Sequence, residues 1–119
     1  MALDLTQLAG GFTDGISNAV KSVTGEDISS IVGFAVQQLR ALAQQSALVT
    51  GLAEANAFTE SERLFYLDGL KEMARSFVDT FEQIATVEIE KIFNAVIGAI
   101  WQSISKLAGI PLTALTAGV

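Results

Sequence analysis

Asp68, Glu72, Asp79 and Glu82, with Arg75 among them, recur at helical spacing and so fall on one predicted helical face. Carboxylates grouped in this way can hold metal ions. Di-iron bundles, however, complete such a set with a Glu-x-x-His motif, and this chain has no histidine. Hard cations such as calcium can use carboxylates alone, but no twelve-residue loop of spaced acids around a central glycine is present. The stripe therefore reads as a solvated charged face carrying intrahelical ion pairs.

Two further patterns invite chemistry and fail to complete it. GGFTDG, from Gly10 to Gly15, has the glycines of a phosphate cradle, but no strand precedes it and no lysine follows in register. Ser17 stands four residues before Lys21, the spacing of an activated nucleophile, with no oxyanion site or further partner in view. Without histidine the chain lacks the commonest general base, and without cysteine it lacks thiolate chemistry and disulfides. No catalytic, cofactor-binding or metal-ligating residue is assigned, and an enzyme is not expected.

What the sequence is built to bury is more informative. Half of the 119 residues are apolar and only 17% are charged, against about 25% in ordinary globular domains. The net charge of -6, with seven basic residues scattered singly, argues against nucleic acid, which requires clustered Lys and Arg to displace counterions. Thirteen of the twenty charges lie between Glu54 and Lys91. From Ile28 to Ala53 the only charge is Arg40, and from Ile92 to Val119 the only charge is Lys106.

Helix formers and three- and four-residue apolar spacing predict an all-α fold, a bundle of three to four helices in a single domain spanning 1–119. The first helix covers roughly 3–23 and is expected to break or fray near Gly10 and Gly11. Gly25 ends it, and Asp27 caps a second helix over about 28–55. There Ile28, Val32, Ala35, Leu39, Leu42, Val49 and Ala53 keep a coiled-coil seam, with Ser46 its one polar member. Gln37, Arg40, Gln44 and Glu54 lie opposite, and the paired glutamines at 37–38 and 44–45 suit hydrogen bonding between neighbouring helices.

In TESE, Thr59 and Glu62 form a capping box, and helical signals then persist over 60–107. An unbroken helix of that span would be about 70 Å long, so it either bends, near ATVEI or Gly98, or projects from the fold. Gly109 and Pro111 stop it, and the tail 112–119 is weakly determined. Within IFNAVIGAIWQSISKLAGIPL, Lys91 just before it, then Asn94, Gly98, Gln102, Ser105 and Lys106, form a narrow polar stripe. The rest of that helix is apolar. A contact on one side needs only about 100° of apolar arc, so this wider arc implies contacts on two sides, one with the rest of the same chain and one with another molecule.

The polar interruptions argue against a bilayer span in either charge-poor segment. The chain is therefore expected to be a non-catalytic structural protein that self-associates into a homo-oligomer or larger assembly. Phe93, Ile97, Ile100, Trp101, Ile104, Leu39 and Leu42 are the candidate interface residues. The alternative is an amphitropic protein that lays its C-terminal helix on a lipid or granule surface. No secretory leader is evident in MALDLTQLAGGF, so a cytoplasmic setting, or one within a larger particle, is expected.

Overall fold

Asp4 opens the first helix: its carboxylate accepts the backbone N–H groups of Thr6 and Gln7, two donors that a helix start leaves without partners. In the computed structural model, which describes residues 4–25, 34–57, 59–83 and 89–118, helix α1 runs from there as Leu5–Thr24. Gly25 closes it in the left-handed conformation, donating its N–H to the Lys21 carbonyl at 2.8 Å. The expected break near Gly10 and Gly11 is absent. Each helical glycine costs about 1 kcal/mol relative to alanine, whereas burying Phe12, Ile16 and Val20 returns about 1.5–3 kcal/mol apiece. Burial wins, and α1 is continuous.

Helix α2 is Phe34–Glu54; the expected cap at Asp27 and the seam positions Ile28 and Val32 lie outside the described residues. Every seam position whose side chain is described faces inward: Leu39, Leu42, Val49 and Ala53 are buried. Ser46 and Thr50 are buried with them, and each hydroxyl donates to the carbonyl four residues earlier, Leu42 and Ser46 respectively, at 2.8 Å. That local bond lets a polar group sit in the core at little cost.

Helix α3, Glu60–Asp79, begins on the predicted capping box: the Glu62 N–H donates to the Thr59 hydroxyl and the Thr59 N–H to the Glu62 carboxylate. A single helix over 60–107 is not what the chain forms. The α-helix ends at Asp79, a 3₁₀ turn follows over Thr80–Gln83, and α4 occupies Ile89–Ala108. At the change of pitch the Thr80 hydroxyl donates to the Phe77 carbonyl, and Phe77 and Phe81 meet edge to face at 5.3 Å in the core. Most of the ATVEI run lies outside the described residues. Arg75 of α3 reaches Glu90 and Phe93 of α4, so the two helices fold back on one another. None of the described helices projects: the longest extent is 42 Å and the radius of gyration 14.0 Å, close to the roughly 13.5 Å of a compact chain of this length.

Helix α4 touches all the other α-helices, while α1 and α3 make at most marginal contact with each other. The bundle is thus built on a central pair, α2 and α4, flanked by α1 on one side and α3 on the other. These are the two charge-poor segments, and central position accounts for the lack of charge on their buried sides, since an unpaired buried charge is strongly disfavoured. Gly109 ends α4 in the left-handed region, as predicted. The tail is better determined than its composition implies. A short helix α5, Leu112–Leu115, buries Leu115, and Arg63 of α3 donates to the carbonyls of Leu115 and Ala117.

Candidate functional site

The seven candidate interface residues divide by burial. Leu39, Leu42, Ile97, Ile100 and Ile104 are buried within the single chain, and Phe93 and Trp101 are half-buried and packed against the same core. The wide apolar arc of α4 is therefore covered on two sides by the chain's own helices. Its polar stripe falls where the spacing places it: Lys91, Asn94, Gln102 and Lys106 are exposed, and Gly98 and Ser105 are half-buried.

The acidic face of α3 points outward through Asp68, Glu72 and Asp79; the Glu82 side chain lies outside the described residues. Among the described residues no group of three or more Asp and Glu is placed to hold a metal ion. The ion pairing also differs from the expected intrahelical pattern. Arg75 pairs across helices with Glu90, donating to both carboxylate oxygens at 2.8 and 3.3 Å, and its guanidinium lies 4.0 Å from the centre of the Phe93 ring. Only the long 3.9 Å contact of Arg63 with Glu60 lies within one helix among the described pairs. The Arg75 hydrogen bond holds the Glu90 carboxyl below its ordinary range, and the same bond raises the Arg75 pKa. Arg75 and Phe93 line an open depression of about 500 Å³ together with Lys71, Glu72, Ser76 and Asp79. Its charges, Lys71, Glu72, Arg75 and Asp79, alternate in sign along α3, and Arg75 is already paired with Glu90, which suits fastening α3 to α4 more than gripping a ligand.

GGFTDG is not a loop. It forms part of α1, so its backbone N–H groups are taken up by the helix and no phosphate cradle exists. Ser17 is half-buried and Lys21 exposed on that helix.

The surface that the apolar pattern did not single out is the outer side of α2. Val36, Gln37, Arg40, Ala41, Gln44 and Leu48 are exposed there, with Val36 at 37% and Leu48 at 43%. Between Phe34 and Ala53 this helix carries no acid. Nearby, the Oε1 atom of Gln38 is buried with no hydrogen-bond partner among the described residues. Elsewhere, Phe65 is 74% exposed amid the acids of α3, and Leu107 and Leu112 are exposed near the chain end. Comparison with protein-family models, curated proteins and solved structures yields no match. The signal for the outer side of α2 was present in the seam itself, since a helix whose inner side is filled by Leu39, Leu42 and Val49 leaves an outer side that is unusually poor in charge.

Proposed function

We propose that this chain is a non-catalytic assembly protein that self-associates into a homo-oligomer, and that the face it uses is the outer side of α2. The observation that carries this reading is the exposure of an acid-free helical face, Val36 to Leu48, on a chain of net charge -6. Two such chains repel wherever acid meets acid, and an acid-free face is where they approach at least electrostatic cost. Exposed Leu48 and Val36 add apolar area to that contact. The alternative, α4 lying on lipid, has less to draw on. Most of the apolar arc it needs is covered within the chain.

Leu48→Glu tests the reading. The site is exposed, so helicity by circular dichroism should stay unchanged while the native mass falls from oligomer to the 12.6 kDa chain. Persistence of the oligomer in this variant would sink the assignment of the face.

A further inference from the structure

The outer side of α2 carries a regular pattern. Gln37, Ala41, Gln44, Leu48, Gly51 and Ala55 follow one another at alternating spacings of four and three, the seam of a second coiled-coil contact on the side away from the core. All are exposed except half-buried Gly51. Only two charges belong to this helix, Arg40 and Glu54. They lie fourteen residues apart, two whole heptads, so both occupy the same flanking position beside the seam. Both are exposed, and neither forms an ion pair within its own chain among the described residues.

We infer that α2 pairs with α2 of a second copy in antiparallel orientation, about a two-fold axis level with Ser46 and Ala47. This deepens the self-association reading and rests on it. In antiparallel pairing the seam closes as Gln37 against Ala55, Ala41 against Gly51 and Gln44 against Leu48 of the other copy, each layer setting a larger side chain against a smaller one or an amide against an aliphatic. Equivalent flanks then face each other. Arg40 of each copy meets Glu54 of the other, and the two-fold axis makes the pair twice. A parallel pair instead sets Gln37 on Gln37 and Gln44 on Gln44, and leaves both charges without partners. Arg40 and Glu54 are thus complementary to themselves only when the helices run in opposite directions. Contact along one helix belongs to the small interface class, below about 1,200 Å² in total, so the pair is dissociable and its population rises with concentration.

The chain has no cysteine, which makes orientation directly measurable. Full-length Gln37→Cys and Ala55→Cys chains are mixed and oxidised mildly, and the products are separated by mass. The mixed disulfide between the two variants should predominate over both self-disulfides. Separately, Arg40→Glu and Glu54→Arg should each move the dissociation midpoint in sedimentation to several-fold higher concentration, and the double exchange should return it. Self-disulfides in excess, or charge reversals without effect in a chain that still associates, overturn the antiparallel pairing and leave self-association standing. A chain that stays monomeric at every concentration overturns both.

Discussion

Gly11 and Gly109 differ in what their backbones require. Gly109 has φ +73°, a conformation in which an added Cβ costs about 1–2 kcal/mol, so Gly109→Ala should lower stability by that order. Gly11 lies mid-helix, exposed, with open space where a Cβ would sit. Gly11→Ala should therefore raise stability by about 0.5–1 kcal/mol, read as a higher thermal midpoint. Two carboxylates give the acid limb its sign. The backbone N–H of Thr59, then its hydroxyl, lowers the Glu62 pKa from its ordinary 4.5, as the Arg75 bond lowers that of Glu90. A group with a depressed folded-state value contributes stability above its unfolded pKa and loses it as pH falls through the folded one. The urea midpoint should thus fall on acidification below about 4.5, and fall less in Arg75→Met, where Glu90 has lost its partner. Both groups are exposed, so the effect is small and is screened by added salt.

At the scale of elements, α4 shows how one helix divides its labour. Ile100 is fully buried and Leu107 is 42% exposed, so Ile100→Ala should cost about 2–5 kcal/mol in denaturant unfolding and Leu107→Ala under about 0.5 kcal/mol. Much of this was legible in the sequence, because the relevant signals are local. The Thr59–Glu62 box, the stop at Gly109, the inward seam of α2 and the polar stripe of α4 each depend on residues within a turn or two. The missed features are non-local. Arg75 looked like one member of a charged helical face because nothing nearby in sequence announces that α4 returns Glu90 and Phe93 to its side. Arg63 holds carbonyls more than fifty residues away, which no spacing rule reaches. The glycines of α1 disfavour a helix by local propensity, and tertiary burial of Phe12, Ile16 and Val20 outweighs them. The seven candidate interface residues are apolar, and the chain's own helices fill an apolar helical arc first: five of the seven are buried and the other two pack against the core.

For the whole molecule, the deficit of charge and the predicted length of the last helix were the two reasons to expect neighbours. The structure accounts for much of both within one chain: α2 and α4 cover each other at the centre, and the 60–107 span doubles back inside a 42 Å body. Among the surfaces that stay exposed, the acid-free outer side of α2 is the one on which the proposed self-association rests. Trp101 cannot test it, since the ring packs against the core and a charge there would disturb folding. Exposed Leu48 can. The most direct measurement is sedimentation velocity over a wide concentration series at low and high salt, with Leu48→Glu run alongside. The wild-type average mass should climb from 12.6 kDa toward twice that value or beyond, while the variant stays at 12.6 kDa throughout. A wild-type chain that remains a single 12.6 kDa species at every concentration and salt would contradict the account.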